Sequence, residues 1–281
     1  NLQHPPGARD RAASSADPPV SRTLDVMNQH MPPEPVALFD IGAQRRRLGK
    51  SIDEAVGRVL AHCQFVSGPE VSALEKALAE FCGAKHVVSC ANGTDALVMV
   101  LMAIGAGPGD AVFCPSFTFC ATASPVARTG ATPLLVDVDD ATFNMTAASL
   151  AQGIATAKRL GLHPKAVIPV DLFGQSADHD AIGELARSEG LFVLDDAAQG
   201  FGATYHGRKL GTLADATTTS FFPTKPLGCY GDGGAIFTDD DRRVSSTGSF
   251  SSISSCTMRW GCEARGWNWL TTMPSTRSDS L

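Results

Sequence analysis

The residues best suited to chemistry in this chain are a lysine in a loop and a carboxylate pair at the end of an apolar run. Lys225 lies in SFFPTKPLG (220–228), and upstream LFVLDDAAQ (191–199) carries Asp195 and Asp196. A lysine amine can hold an aldehyde as a Schiff base and move a proton, while a carboxylate can keep a pyridine nitrogen protonated. Either residue alone is more typical of an ordinary surface position. Together they predict the chemistry of pyridoxal 5'-phosphate (PLP).

Asp195 and Asp196 place two carboxylates at one predicted strand end. Adjacent residues of a strand point to opposite sides, so we expect only one of them to reach a given ligand. Gln199 could bond a cofactor oxygen or only cap the turn. Ser220 offers a hydroxyl that could reach a phosphate in the same place.

A glycine turn further upstream could bind that phosphate. NGTDAL (92–97) follows a predicted strand and opens a predicted helix, and Gly93 would let the backbone approach a ligand closely. The unpaired N–H groups and the positive dipole end of a helix suit a dianion. A simple helix cap by Thr94 or Asp95 also explains the segment, and such turns are commoner than phosphate sites.

Two aromatic residues, Phe117 and Phe119, follow the next predicted strand in PSFTFCAT (115–122). Either could stack on a planar heteroaromatic ring. A place in the core is the commoner fate of an aromatic side chain, and spacing alone does not choose between the two.

Strands and helices alternate between these residues. Short apolar runs predict seven strands, at 86–90, 111–114, 133–138, 166–170, 191–195, 217–222 and 234–238. Apolar periodicity predicts helices at 51–63, 70–82, 94–104, 118–128, 147–158 and 178–189. The pattern indicates an α/β fold with a mostly parallel seven-stranded sheet and helices on both faces. Ligands of such sheets bind beyond the carboxyl ends of the strands, where Asp196 and the loop at 91–94 fall.

The composition is that of a globular enzyme, with 43% hydrophobic and 19% charged residues. A net charge of -6 argues against a nucleic-acid partner, and no run approaches the roughly 20 apolar residues that span a bilayer. The eight cysteines form no Cys-x-x-Cys pair, which favours reduced thiols over zinc or disulfides. We therefore expect a cytoplasmic protein with no metal and no membrane partner.

Composition divides the chain into three parts. Residues 1–35 are rich in Pro, Ser, Ala and Arg and lack periodicity, which predicts a disordered leader. Residues 36–242 carry the regular elements and form the predicted cofactor-binding domain. Periodicity ends near Asp241, and residues 243–281, which hold all three tryptophans, are predicted to be an aberrant or disordered tail.

Four motifs occur in series: NGTDAL (92–97), PSFTF (115–119), DDAAQ (195–199) and SFFPTK (220–225). In this order they resemble the PLP-dependent sugar-nucleotide aminotransferases of the DegT/StrS group. The resemblance covers about residues 36–242. It implies the large domain of a fold-type I PLP-dependent transferase and a homodimer.

The resemblance also implies a role for each candidate residue. Lys225 would be the Schiff-base lysine and would shuttle the proton, and Asp196 would pair with the pyridine nitrogen. Gln199 would contact the phenolic oxygen side of the cofactor, and Phe119 would stack on its ring. The phosphate would be held by Gly93, Thr94 and Ser220.

The implied reaction is a ping-pong exchange in which glutamate gives its amino group to the cofactor and a keto-sugar nucleotide takes it. FVSGPE (65–70), PVDLFG (169–174) and PLGCYGDGG (226–234) look similar to one subgroup. Members of that subgroup aminate a UDP-linked 3-keto-N-acetylglucosaminuronate during surface-polysaccharide synthesis. The resemblance thus implies a nucleotide sugar and glutamate as substrates.

Members of the group are longer, with a C-terminal small domain that closes the site and gives an asparagine to the partner subunit. The resemblance ends near Arg242, so we expect a truncated or frameshifted chain that lacks the small domain and has little or no activity. A non-catalytic binding or regulatory protein that keeps the fold is the alternative. Another fold-type I enzyme, such as a desulfurase or an aldolase-like enzyme, is a third, and Cys229 near the lysine allows the desulfurase.

Overall fold

The computed structural model describes residues 38–241. The predicted leader (1–35) and tail (243–281) therefore lie outside the described residues. Within 38–241, no helix is long and apolar enough to cross a membrane.

Helices and strands alternate along the described chain. The helices are α1 (Ile41–Leu48), α2 (Lys50–His62), α3 (Pro69–Cys82), α4 (Gly93–Ala103), α5 (Ser124–Arg128), α6 (Ala147–Arg159) and α7 (His179–Glu189). The strands are β1 (His86–Cys90), β2 (Asp110–Pro115), β3 (Thr132–Val136), β4 (His163–Val167), β5 (Phe192–Asp196), β6 (Thr204–Tyr205), β7 (Arg208–Lys209), β8 (Ala216–Ser220) and β9 (Gly234–Thr238). A short 3-10 turn, Leu172–Gly174, follows β4.

Seven of the strands form one sheet in the order β1-β9-β8-β5-β4-β2-β3. Every neighbouring pair from β8 to β3 is parallel, whereas β9 runs antiparallel to both β1 and β8. The short strands β6 and β7 pair only with each other. The predicted α/β fold with a mostly parallel seven-stranded sheet is confirmed.

Helices cover both faces of this sheet because the strands are apolar on both sides. In β2, Val112 and Cys114 join the core beneath α4, whereas Ala111 and Phe113 join the core beneath α6 and α7. A third apolar cluster packs α3 against β9. The sheet is thereby fixed from both faces, and its carboxyl edge is left open for a ligand.

The strand register brings distant segments together at that edge. Gly234, the first residue of β9, pairs with Cys90 at the end of β1 and with Ser220 at the end of β8. Asp196, the last residue of β5, pairs with Thr218 and forms a bridge to Val170 beyond β4. The predicted phosphate turn, the lysine loop and the carboxylate pair therefore all begin at one edge.

One predicted helix is shorter than its apolar pattern indicated. The structure has turns at 120–123 and a helix only at Ser124–Arg128, where we predicted 118–128. Pro125 lies in the first turn of α5, where its missing N–H costs nothing, whereas in a helix from 118 it would lie in the interior, lose a hydrogen bond and clash with the preceding turn. Helix α1 and the β6–β7 hairpin were not predicted.

Candidate active site

A cavity of about 560 Å³ opens at the carboxyl edge of the sheet. It is lined by all seven residues that the sequence singled out: Gly93, Thr94, Phe119, Asp196, Gln199, Ser220 and Lys225. These residues come from α4, from the loops after β2, β5 and β8, and from β5 and β8 themselves. The fold brings the predicted set into one place.

Asp196 is the buried carboxylate of the cavity. Its Oδ2 accepts a hydrogen bond from Thr122 Oγ1 at 2.8 Å, and its Oδ1 accepts one from the Ala198 N–H at 3.2 Å. Burial raises the pKa of Asp196, while these two hydrogen bonds and the positive charge of Lys225 oppose the rise. A further cation facing this carboxylate, such as a pyridinium, would favour its ionised form.

Asp195 points away from the cavity, which confirms the expected alternation. Its side chain is buried in the protein, where its Oδ2 accepts a hydrogen bond from Thr217 Oγ1 at 3.3 Å. The neighbouring His179 lies with its Nε2 at 3.8 Å from Asp195 Oδ1. Of these two adjacent carboxylates, Asp196 alone is therefore available to a ligand in the cavity.

Lys225 is half-buried in a loop that hydrogen bonds hold at both ends. The backbone N–H of Lys225 donates to Phe222 O at 2.8 Å, and the backbone N–H of Cys229 donates to Phe221 O, also at 2.8 Å. Asp232 lines the cavity further along this loop. The lysine amine is thus carried by an ordered segment rather than by a free tail.

The helix cap at α4 differs from the one the sequence suggested. Asn92 is the cap, since its side-chain oxygen accepts from the Asp95 N–H at 2.8 Å, and neither Thr94 nor Asp95 fills that role. The N–H groups of Gly93 and Thr94 belong to the first turn, where a helix offers them no acceptor of its own. Both can therefore donate to an anion in the cavity.

Two glycines keep this helix start tight against the sheet. A Cβ on Gly93 would lie 2.6 Å from Ser220 Cβ, and one on Gly234 would lie 2.5 Å from the backbone carbon of Asn92. Neither position has room for a side chain. The Ser220 hydroxyl accepts from the Phe222 N–H at 3.2 Å, and its own proton is free to point elsewhere. The N–H groups of Gly93 and Thr94 and the Ser220 hydroxyl thus form a small cup of donors on the wall of the cavity.

The two aromatic candidates have different places. Phe119 lines the cavity and is 64% exposed, so its ring is accessible to a planar ligand. Phe117 instead packs near Phe143 and Phe173, with ring centroids 5.5 and 6.4 Å away. Gln199 Oε1 accepts from the Phe173 N–H at 3.1 Å, which leaves the amide nitrogen of Gln199 as a donor toward the cavity.

Several residues of the site were missed from the sequence. Thr122, which is buried and donates to Asp196, lies within the PSFTFCAT run, and a hydroxyl so close to the aromatic pair was a usable signal. Arg128, Val170 and Thr218 line the cavity. Arg128 has its Nη1 at 3.4 Å from Asp95 Oδ1 and resembles an ordinary cation at the end of a helix, so nothing in its local sequence marks it.

The sequence model of the DegT/DnrJ/EryC1/StrS aminotransferase family matches residues 46–270, which is more than half of the chain. This chain belongs to that family. The matched range runs past residue 242, where we predicted that the cofactor-binding domain ends. Membership agrees with the motifs and with the positions of their residues around one cavity.

Two bacterial proteins illustrate how similar the relatives are. The chain is 51% identical over 206 residues to UDP-2-acetamido-2-deoxy-3-oxo-D-glucuronate aminotransferase of Pseudomonas aeruginosa, an alignment that covers 73% of this chain and 56% of the relative. It is 45% identical over 206 residues to a "Pleiotropic regulatory protein" of Geobacillus stearothermophilus, covering 73% and 54%. The chain therefore spans little more than half the length of the curated relatives it matches.

Solved structures of aminotransferases share the fold. A DegT DnrJ EryC1 StrS aminotransferase from Brucella abortus superposes with a TM-score of 0.73 at 49% identity, covering 74% of this chain and 56% of that one. DesV of S. venezuelae, solved with a ketimine intermediate, gives 0.69 at 38% identity and covers 73% and 54%. Both likenesses support the sheet and helix arrangement described above.

Proposed function

We propose that this chain carries the cofactor site of a PLP-dependent sugar-nucleotide aminotransferase. The observation that carries the proposal is that Lys225 and Asp196 line the same cavity as the cup at the start of α4. An amine, a buried acid and a phosphate cup are the three contacts that distinguish PLP from other aromatic phosphates. PLP supplies an electron sink to a carbon that bears an amino group.

The phosphate would be held by the N–H groups of Gly93 and Thr94 and by the Ser220 hydroxyl. The positive end of the α4 dipole stabilises a dianion there. Phe119 would cover one face of the ring, and the amide nitrogen of Gln199 would donate to its phenolic oxygen. Together these contacts would hold the ring so that Asp196 can serve its nitrogen.

Lys225 and Asp196 would have different roles in the reaction. The Lys225 Nζ would attach the cofactor and, once an incoming amine displaces it, carry a proton to and from the carbon that is aminated. Asp196 would hold the proton on the pyridine nitrogen. Thr122 and the Ala198 N–H each donate to one oxygen of this carboxylate and so hold it in place.

For the substrates we propose glutamate as donor and a UDP-linked 3-keto-N-acetylglucosaminuronate as acceptor. The 51% identity to a P. aeruginosa enzyme named for the same keto sugar supports the acceptor, and the family resemblance alone supports the donor.

We also propose a cytoplasmic homodimer. The free thiols of all six described cysteines fit a reducing compartment, and the exposed rings of Phe117, Phe143 and Phe173 suit a protein contact.

We also propose the domain limits: a cofactor-binding domain at 36–242, between a leader at 1–35 and a tail at 243–281. The elements described for 38–241 support the central part of this division.

The test is amino transfer by the purified 281-residue chain in single-turnover format. The chain is loaded with PLP, mixed with glutamate, and followed by the cofactor absorbance and by release of 2-oxoglutarate. Conversion that Lys225→Ala abolishes supports the proposal. A chain that binds PLP but converts no glutamate would agree with the little or no activity expected above and would also fit a binding or regulatory role, which the name of the Geobacillus relative makes the second candidate. Sulfide release from cysteine would instead point to a desulfurase.

A further inference from the structure

Arg128 lines the cavity, and none of the roles proposed above uses it. It is the last residue of α5, and its side chain is 57% exposed. Side chains of a helix lean toward the N-terminus of that helix, which carries the guanidinium back toward the carboxyl edge of the sheet. There the Nη1 of Arg128 lies 3.4 Å from Oδ1 of Asp95. A long cationic side chain is thereby brought to the start of α4.

Asp95 belongs to the same first turn of α4 as the backbone donors of the cup, Gly93 and Thr94. The backbone N–H of Asp95 donates to Asn92 Oδ1, and Asn92 Nδ2 donates to Asp95 Oδ2 at 3.0 Å. The carboxylate is therefore held in place at this turn, and its residue lines the cavity together with Arg128. An anion in the cup has both the carboxylate and the guanidinium as near neighbours.

The charges around the cup do not favour a dianion without a further cation. Its donors, two backbone N–H groups and the Ser220 hydroxyl, carry no net charge. The positive end of the α4 dipole is equivalent to roughly half an elementary charge, whereas Asp95 places a full negative charge in the same turn. The ionisable residues of the lining are three acids, Asp95, Asp196 and Asp232, and two bases, Lys225 and Arg128. A phosphate dianion in the cup therefore needs one of these two cations.

Arg128 is the cation that is available for this place. The proposed function assigns Lys225 to the aldehyde of the cofactor, and no second role is left for it. The contact of Arg128 with Asp95 is longer, at 3.4 Å, than the roughly 2.7–2.9 Å of a strong charge-assisted hydrogen bond. Among residues 38–241 the guanidinium has no other hydrogen bond or ion pair. Because a guanidinium carries several N–H donors in a planar fork, Arg128 can bind a phosphate and still contact Asp95.

We propose that Arg128 is a phosphate-binding residue of the cofactor site, whose guanidinium bonds the phosphate of PLP in the cup and neutralises Asp95 at the same time. The backbone donors then fix the position of the phosphate, and Arg128 supplies the charge. This inference rests on the proposed function, because it names a further contact of the same cofactor. It also explains how an acid can occupy the first turn of α4 beside a site for a dianion.

The first experiment compares PLP with pyridoxal, which lacks the phosphate. Binding of each compound to the full 281-residue chain is followed by absorbance in the unaltered protein and in Arg128→Gln. Loss of one hydrogen-bonded charge should weaken PLP binding about tenfold. Pyridoxal binding should not change, because pyridoxal offers the guanidinium no anion. Arg128→Lys should keep part of the PLP affinity, since the charge remains and only the fork is lost.

Arg159→Gln is the matched control. Arg159 is also the last residue of a helix, α6, and is exposed, with its Nη2 donating to Thr156 Oγ1 at 3.2 Å. It does not line the cavity. The change removes the same charge from the chain, so unchanged PLP affinity in Arg159→Gln excludes an effect of net charge alone.

A double-mutant cycle with Asp95→Asn separates a direct contact from an indirect one. If Arg128 only neutralised Asp95, Arg128→Gln would cost no affinity once Asp95→Asn has removed the negative charge. A direct contact with the phosphate predicts that Arg128→Gln still weakens PLP binding in the Asp95→Asn background, again about tenfold.

Four results would overturn the inference: an equal loss of PLP and pyridoxal affinity in Arg128→Gln, an equal loss of PLP affinity in Arg159→Gln, a loss that disappears in the Asp95→Asn background, and no loss at all. In the last case, weaker binding of UDP to Arg128→Gln would assign the arginine to the diphosphate of a nucleotide sugar instead. Each of these results leaves the proposed function standing. An unaltered chain that binds no PLP would refute the proposed function, and this inference with it.

Discussion

The start of α4 gives the most quantitative prediction, the replacement Gly93→Ala. The added Cβ would lie 2.6 Å from Ser220 Cβ and 3.2 Å from Ser220 Cα, and Ser220 is held at the end of β8 by its pairing with Gly234 of β9. Overpacking of this kind costs about 1–3 kcal/mol. We expect chemical denaturation to show a loss of stability in that range, and PLP affinity to fall about tenfold as the two N–H donors shift.

Gly57→Ala is the matched control. Gly57 lies inside α2 with no atom within 4 Å of its added Cβ, so the same change there should raise stability by about 0.5–1 kcal/mol. A double-mutant cycle isolates the clash, because the cost of Gly93→Ala should shrink when Ser220 is first changed to glycine. If Gly93→Ala is as stable as Gly57→Ala and binds PLP normally, the tight cup does not exist.

Three further predictions concern the acid, the ring and the buried histidine. Asp196→Asn should slow amino transfer at least about a hundredfold in single-turnover assays while PLP binding changes less, and near-normal turnover would disprove its role. Phe119→Ala should weaken PLP binding by about 1 kcal/mol, whereas the control Phe117→Ala should leave it unchanged. Equal effects of the two variants would show that Phe119 does not stack on the cofactor. Because the pKa of His179 is about 9 when folded and 6.5 ordinarily, its contribution to stability is present below pH 6.5 and is lost between pH 6.5 and 9. Unfolding free energy should fall by up to about 3 kcal/mol across that window, and His179→Gln should flatten the fall.

The sheet could be predicted because its signal is local. Each strand is a short apolar run bounded by turns, and β1 and β9 have the predicted limits of 86–90 and 234–238. What the sequence could not show is the strand order. The pairing of Gly234 with both Cys90 and Ser220 joins distant segments, and no periodicity encodes it.

The candidate site could be predicted where a residue type is itself unusual in its setting. Lys225 among small residues and Asp196 at the end of an apolar run are of this kind. Asn92 and Thr122 were missed because their roles depend on neighbours, a helix N–H for one and Asp196 for the other.

The central claim is that one cofactor joins Lys225 to Asp196 in a single cavity. The most direct measurement is borohydride reduction of the PLP-loaded chain, followed by peptide mapping of the phosphopyridoxyl label. We predict label on Lys225, and its loss in Lys225→Ala with the fold retained. Label spread over exposed lysines such as Lys76 and Lys85, or none at all, would contradict the account.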